Sequence, residues 1–167
     1  MVDKIYLGLG SNIGDKMAHL KFAVEQFKEN SKCRVLKSSS VYETRPFGNL
    51  NQDNFFNAVI EIETLLGFFD LFYLIKSIET KAGRDAVHIP NAPRELDVDI
   101  IFYNELVYNG EFITIPHKEY AHRDFVLIPL LEIATDFKHP VLKKKIHEIN
   151  FDLPETFIIQ KIADSLL

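Results

Sequence analysis

Short runs of alternating or β-branched residues occur at five places along the chain, and each run predicts a β-strand. The runs lie at about 5–9, 35–42, 55–63, 97–103 and 106–108. Glycine, asparagine and proline residues punctuate the chain between most of them, which is typical of turns. The pattern therefore predicts a sheet of several strands.

Other segments carry apolar residues three and four positions apart, the spacing of a helix with one buried face. This spacing predicts helices over about 15–29, 68–82, 125–134 and 141–149. The last segment, 155–167, fits either a strand or a helix. The first two helices alternate with the predicted strands in the order β-α-β-β-α-β.

That order predicts an α+β fold with a ferredoxin-like sheet and helices on one of its faces. The C-terminal third would then add a helical decoration, and residues 1–167 would form a single domain. Two irregular stretches, 43–53 and 83–93, show no periodicity. Loops of this length are usually functional or disordered, and a free sheet face would leave room for a ligand.

Composition narrows the possible functions. The chain has 167 residues, 47% of them hydrophobic, a net charge of −5 and a pI of about 5.7. An acidic chain is a poor candidate for a general nucleic-acid binder. A single cysteine, Cys33, excludes a disulfide within the chain. The sequence lacks a signal-peptide pattern and any membrane-spanning apolar run, so we expect a cytoplasmic protein without membrane contact.

The segment PRELDVDIIF carries the strongest chemical signal. Successive side chains of a strand point to opposite faces, so Asp97 and Asp99 share one face. Two neighbouring carboxylates on a half-buried strand require a cation, and a divalent ion such as Mg²⁺ suits them. The alternative is a pair of exposed charges at a sheet edge. Arg94 favours the first interpretation, because a guanidinium beside a metal site is suited to phosphate.

Weaker signals accompany this pair. Arg84 and Arg94 bracket the second irregular stretch, which fits a loop that closes over phosphates, although a solvated Arg84 is equally consistent with the sequence. The segment GLGSNIG matches neither the dinucleotide fingerprint nor a phosphate-binding P-loop. It fits a tight strand-to-helix turn, or such a turn at the edge of a pocket. Asn57 is unexpected among apolar strand positions, because a buried amide needs partners.

Taken together, these segments resemble the 6-hydroxymethyl-7,8-dihydropterin pyrophosphokinase family of folate biosynthesis. The resemblance covers about residues 4–142 and rests on LGLGSNIGD, VYETRPFG, FFNAV, PRELDVDII and IPHKEYAHRDFVLIPLLEIA. It implies a ferredoxin-like α+β fold. It also implies transfer of diphosphate from ATP to the pterin hydroxymethyl group, with release of AMP.

The resemblance also implies roles for individual residues. Asp97 and Asp99 would bind two Mg²⁺ ions, Arg84 and Arg94 would stabilise phosphate charge during catalysis, and two aromatic rings would sandwich the pterin. The implied ATP-binding residues are Glu79, Arg84, Arg94, Ile100, Thr114, His117 and Arg123. The implied pterin-binding residues are Thr44, Phe47, Phe55, Asn57, Asp97 and Phe125.

The implied partners are ATP and the pterin, with neither nucleic acid nor membrane, in a monomer or a weak homodimer. The chain departs from the family in its second loop, where Pro90 and Asn91 replace a usual basic residue and Trp. His88 is an alternative contact there.

Two other function classes are a non-catalytic ferredoxin-like module that senses a metabolite and a metal-dependent nuclease or nucleotidyltransferase. Neither class accounts for the acids, arginines and aromatic residues together.

Overall fold

A computed structural model describes residues 3–84 and 92–167. Within these residues the chain folds as an α+β protein with three α-helices. The strands are β1 (Asp3–Ser11), β2 (Cys33–Ser38), β3 (Val41–Thr44), β4 (Phe55–Thr64), β5 (Asp97–Tyr103), β6 (Tyr108–Asn109), β7 (Thr114–Ile115) and β8 (Ile158–Ala163). The helices are α1 (Lys16–Glu29), α2 (Phe68–Lys81) and α3 (Asp124–Ile133).

Six of the strands form one sheet, in the order β5-β1-β4-β3-β8, and β2 also pairs with β4. Every pairing in this sheet is antiparallel. The two shortest strands, β6 and β7, form a separate antiparallel hairpin. Among the helices of the described residues, none combines the length and the apolarity needed to cross a lipid bilayer.

The first helix shows how local sequence sets an element boundary. Asp15 caps its N-terminus, because the carboxylate Oδ1 accepts a hydrogen bond from the backbone N–H of Ala18 at 2.9 Å. Its buried residues recur at helical spacing and include Leu20, Val24 and Phe27. The helices predicted over 15–29, 68–82 and 125–134 are confirmed within a residue at each end.

The two faces of the sheet pack against different partners. On one face, side chains of α1 and α2 join apolar residues of β1, β4 and β5 in the larger core. On the other face, a smaller core forms around Tyr6, Val59, Phe102 and Leu130, the last of which belongs to α3. The small core therefore covers only part of the sheet face that carries α3.

The sequence predictions for the remaining segments need correction. The predicted strand at 35–42 is two strands, because Ser39 interrupts the run. The Ser39 N–H donates to the Val59 carbonyl at 2.8 Å, and the Val59 N–H donates to Ser39 Oγ at 2.8 Å. The strand predicted at 106–108 lies instead at Tyr108–Asn109. The Gly110 N–H donates to the Ile113 carbonyl, and this turn sets the register of the hairpin.

The predicted helix at 141–149 is wrong except for one 3-10 turn, Ile146–Glu148. The backbone instead makes a tight turn here, because Lys143 adopts a positive φ of 57° and the His139 N–H donates to the Lys144 carbonyl at 2.8 Å. The tail forms β8 at the sheet edge rather than a helix. The C-terminal part of the chain is thus one helix and one strand, not a purely helical decoration.

Candidate active site

Two glycines of β1 form the floor of a cleft on the face of the sheet that carries α3. Gly10 pairs with Asp97 on β5 and with Asn57 on β4, and Gly8 pairs with Asp99. Glycine has no side chain, so the space above β1 stays open between the two acids and Asn57. The GLGSNIG segment is therefore a turn at the edge of a pocket, the second of the two interpretations.

On one side of the acids lies the aromatic pocket, a cleft of about 730 Å³ with its open mouth included. It contains all six residues that the resemblance assigns to the pterin. The lining includes Thr44, Phe47, Phe55, Asn57, Asp97 and Phe125, together with Gly8, Gly10, Arg45, Arg94, Asp99, His117 and Arg123. Such a mixture of rings and a few polar groups is typical of a small-molecule site.

The amide of Asn57 is held in a fixed orientation within the aromatic pocket. Its Nδ2 donates to Thr44 Oγ1 at 2.8 Å, and both residues are buried. A Cβ atom added to Gly10 would lie only 2.8 Å from Asn57 Oδ1, so a side chain at position 10 would displace this amide. The absence of a side chain at Gly10 thus makes room for a polar group that faces the cleft.

Guanidinium groups lie against the rings of the same pocket. The Arg94 guanidinium carbon is 5.0 Å from the Phe55 ring centroid, and that of Arg123 is 4.4 Å from the Phe47 centroid and 5.9 Å from the Phe125 centroid. These are cation–π distances. Burial lowers the pKa of Arg123, yet an arginine stays protonated, so the pocket carries positive charge next to its aromatic walls.

On the other side of the acids lies the hairpin pocket, a larger cleft of about 1110 Å³ bordered by the turn between β6 and β7. Phe112, in this turn, is 84% exposed. The two pockets share Asp97, Asp99 and His117. The lining of the hairpin pocket includes Phe72, Ile75, Lys76, Arg84, Val98, Ile100, Gly110, Phe112, Ile113, Thr114 and Lys118.

Asp97 lies between two arginines. Its Oδ1 accepts from Arg84 Nη1 at 2.6 Å, and its Oδ2 is 2.8 Å from Arg94 Nε. The same Arg84 nitrogen also donates to Glu79 Oε1 at 2.6 Å. Glu79 is buried and accepts the Val98 backbone N–H at 2.9 Å, so it fixes Arg84 to the strand that bears the acids.

The two acids have opposite electrostatic environments. Burial favours the neutral form of Asp97, but the charges of Arg94 and Arg84 outweigh it and lower the pKa of that carboxyl. The carboxylate of Asp99 is reachable from solvent within the cleft and makes no ion pair or hydrogen bond with a described residue. Desolvation first, then repulsion by Asp97 and Glu79, raise its pKa to about 7. A cation near Asp99 would remove this penalty.

His117 is neutral at physiological pH. Desolvation, followed by the charge of Arg123, lowers its pKa to about 4. The backbone N–H of Glu119 donates to His117 Nδ1 at 3.3 Å, which places the ring proton on Nε2. The side chain therefore offers one N–H donor at the junction of the two pockets, without a positive charge.

The donor set at the junction fits a metal ion that keeps water and substrate ligands. Over residues 3–84 and 92–167, no group of three or more His, Cys, Asp or Glu side chains is gathered for a metal. Mg²⁺, however, is usually held by one or two carboxylates together with substrate phosphates. Asp99, accessible and in no ion pair with a described residue, would suit such a role beside Asp97.

Sequence reasoning missed Asn12, which connects the two segments on either side of the cleft. Its Nδ2 donates to Gln52 Oε1 at 3.0 Å and to the Asp53 carbonyl at 3.1 Å. Its Oδ1 accepts the Arg94 N–H at 2.8 Å, and its own N–H donates to the Arg94 carbonyl at 3.1 Å. One buried amide thereby ties the first irregular stretch to the start of the acidic strand.

The structure brings the predicted site residues together around one junction. Ile100, Thr114 and Arg84 line the hairpin pocket, whereas Arg94 and Arg123 line the aromatic one. Glu79 lines neither pocket and acts as the buried anchor described above. The second irregular stretch falls largely on 85–91, and with it His88, Pro90 and Asn91, which lie outside the described residues.

A family model described as 7,8-dihydro-6-hydroxymethylpterin-pyrophosphokinase (HPPK) matches residues 6–135. The chain belongs to the HPPK family. It is 38% identical over 144 residues to the 2-amino-4-hydroxy-6-hydroxymethyldihydropteridine pyrophosphokinase of Aquifex aeolicus, covering 86% of this chain and 88% of that protein.

Other HPPK relatives are much longer. The folic acid synthesis protein fol1 of Schizosaccharomyces pombe is 39% identical over 149 residues, which cover 89% of this chain but 20% of that protein. The crystal structure of Plasmodium falciparum HPPK-DHPS wild type with pteroate has a TM-score of 0.69 and 17% identity, and the match covers 88% of this chain and 41% of that one. The structural likeness supports the fold alone.

Proposed function

We propose that this HPPK-family chain transfers the terminal diphosphate of ATP to 6-hydroxymethyl-7,8-dihydropterin and releases AMP, in folate biosynthesis. The pterin hydroxyl oxygen attacks the β-phosphorus, the bond from that phosphorus to the α–β bridging oxygen breaks, and the hydroxyl proton passes to water. Family membership supports this activity. The observation that carries the residue assignment is the position of Asp97 and Asp99, at the junction of the aromatic and hairpin pockets.

The aromatic pocket suits the pterin. A flat heteroaromatic ring gains contact area and stacking from Phe55 and Phe125. Its amide-like edge needs hydrogen-bond partners when buried, and the fixed Asn57 amide supplies them. A ring that lacks this polar edge would leave the Asn57 carbonyl unpaired, which gives selectivity.

The hairpin pocket suits the nucleotide, with Ile100 and Thr114 near the nucleoside and Arg84 and His117 near the phosphates. Arg94 and Arg123 reach the same junction from the aromatic side. Contact with a phosphate requires Arg84 and Arg94 to share or exchange Asp97, the partner that holds both of them here. Fixed cations beside the transferred group stabilise the charge that develops on it.

We also propose that the enzyme depends on Mg²⁺, with two ions bound between Asp97, Asp99 and the ATP phosphates. When bound, the metal would neutralise phosphate charge and polarise the β-phosphoryl group. The raised pKa of Asp99 supports this assignment, because it reflects desolvation first and repulsion by Asp97 and Glu79 second, and a bound cation would offset both.

A ferredoxin-like topology is proposed on the strand order. The strands β5-β1-β4 are adjacent in that sequence, with β2 and β3 both beyond β4, and α1 and α2 pack on one face. Such an arrangement is expected for a β-α-β-β-α-β unit. A cytoplasmic location and a monomeric or weakly dimeric state remain predictions.

The deciding experiment is an assay of AMP release from ATP. Purified protein is incubated with ATP and Mg²⁺, with and without 6-hydroxymethyl-7,8-dihydropterin, and AMP and the pterin diphosphate are quantified by chromatography. We expect equal amounts of both products, formed only when the pterin and the metal are present. AMP formed without the pterin would indicate an ATP hydrolase, and no AMP at all would reject the proposed function.

A further inference from the structure

The C-terminal tail packs directly behind the aromatic pocket. Phe157 is buried, and its ring centroid lies 5.7 Å from that of Phe47 and 5.6 Å from that of Phe125. The Arg45 guanidinium carbon is 5.7 Å from the same ring. Phe47, Phe125 and Arg45 all line the pocket, whereas Phe157 does not. Phe157 therefore touches three wall residues without facing the cleft itself.

Two residues hold Phe157 in this place from opposite sides. The buried Asp124 carboxylate, through Oδ2, accepts the backbone N–H groups of Phe157 at 2.8 Å and of Ile158 at 3.0 Å. On the other side, the Arg45 N–H donates to the Phe157 carbonyl at 2.9 Å, and its guanidinium donates to the Thr156 carbonyl. The tail is thus fixed by contacts more than thirty residues apart in sequence.

Asp124 is also the first residue of α3, where an acid suits the helix N-terminus. It sits between Arg123 and Phe125, so the residue that binds the tail is covalently joined to two pocket residues. Among the described residues, the hydrogen bonds of its side chain go to the tail alone.

The physical benefit is preorganisation. Rings that move freely must be ordered when a ligand binds, and this ordering reduces affinity. Phe47 is 41% exposed, and the buried Phe157 ring packs against it. A flat ligand is bound best when the rings against which it stacks are already fixed by residues behind them.

We propose that Phe157 is a positioning residue that fixes the Phe47 and Phe125 walls, and that Asp124 acts through Phe157. Together they determine the affinity of the enzyme for its pterin substrate. This inference rests on the proposed function. It assigns a role to a tail segment that lies beyond residues 6–135, the part of the chain that the family model matches.

The test compares four variants: Phe157→Ala, Phe157→Leu, Asp124→Asn and Ile159→Ala. Ile159 is the matched control, because it lies two residues further along the same tail, is 50% exposed and lines neither pocket. For each variant we measure KM for the pterin and for ATP, kcat, and pterin binding by calorimetry at saturating α,β-methylene-ATP.

For Phe157→Ala we expect KM and Kd for the pterin to rise about tenfold, while kcat and KM for ATP change by less than about twofold. Phe157→Leu fills much of the lost volume and should recover part of the pterin affinity. Asp124→Asn keeps the side-chain volume and should show a smaller loss of the same kind. Ile159→Ala should match the wild-type protein.

Other outcomes have distinct meanings. A wild-type protein without pterin-dependent AMP release would reject the proposed function. If wild-type activity is present, unchanged pterin affinity in Phe157→Ala, or equal losses for ATP and pterin, would overturn this inference. Should Phe157→Ala fail to fold, Phe157→Leu and Asp124→Asn decide the question, since a purely structural role would lower Tm without separating the two KM values.

Discussion

The aromatic pocket and the hairpin pocket meet at the same two aspartates but are built differently. The first is set on the central strands of the sheet and is backed by the buried ring of Phe157. The second is bordered by two-residue strands, an exposed Phe112 and two lysines. Under the proposed function, the first pocket would select the pterin by shape and stacking, and the second would select the nucleotide mainly by charge.

The largest effect is expected at the junction that both pockets share. Asp97→Ala removes the partner of Arg84 and Arg94 and one of the two carboxylates proposed to bind Mg²⁺, so turnover should fall on the order of 100-fold to 1000-fold or more. The fold should persist, because the larger core lies on the opposite face of the sheet. AMP release and circular dichroism check both statements. Asp164→Ala, at an exposed position, is the control, and undiminished AMP formation in the Asp97 variant would falsify the junction's role.

Arg84 tests whether the guanidinium held by Glu79 and Asp97 acts in turnover rather than in binding. Arg84→Ala should lower kcat about 100-fold and leave the Kd of an ATP analogue within a few-fold, since its charge is needed most in the transition state. Single-turnover kinetics and calorimetry separate the two quantities. Arg34→Ala, an exposed arginine on β2, serves as the control. A change confined to nucleotide affinity would contradict this role.

Phe55 tests the aromatic side alone. Phe55→Ala should weaken pterin binding by about 10-fold to 100-fold, because an aromatic stacking contact contributes about 1–3 kcal/mol. Nucleotide affinity should be largely kept, since Phe55 does not line the hairpin pocket. Calorimetry with each ligand provides the measurement, with Phe69→Ala on α2 as a control outside both pockets. If both ligands lost affinity equally, Phe55 would be a core residue only.

The smallest effect concerns pH. The folded-state pKa of His117 is lowered from 6.5 to about 4. Between these values the unfolded chain binds a proton that the folded chain excludes, so stability falls as pH drops from about 6.5 through 4. Asp99, whose pKa is raised, makes the folded chain more stable as pH falls. Both proteins contain Asp99, so comparing His117→Gln with the wild-type protein cancels its contribution.

Thermal unfolding at several pH values provides the measurement. Between pH 7 and pH 4.5, the Tm of the wild-type protein should drop by a few degrees more than the Tm of His117→Gln. His147→Gln, at an exposed position, should keep the wild-type slope. Identical slopes for all three proteins would show that His117 is protonated as easily in the folded chain as in the unfolded one.

Local patterns predicted much of this molecule. Period-two alternation placed Asn57 and Val59 on one face of β4, and Ile60 and Ile62 on the other, and the structure confirms this. The same periodicity placed Asp97 and Asp99 on one face. These predictions succeed because successive side chains of a strand always alternate between its two faces, whatever the strand packs against.

The features that sequence reasoning missed depend on distant contacts. Asn12 bonds to Arg94, 82 residues away, and Asp124 bonds to Phe157, 33 residues away. Nothing in the local pattern around Asn12 distinguishes this amide from an ordinary turn residue. The strand β8 likewise exists because it pairs with β3, whereas its own sequence fits a helix equally well.

The double pairing of Asp97 has one more consequence. Without substrate, both guanidiniums are already paired with this one carboxylate, and Arg84 also with Glu79. At these two arginines an incoming triphosphate therefore competes with a carboxylate that never leaves the protein. Weak anions should lose this competition, and the empty enzyme should resist occupation by inorganic phosphate.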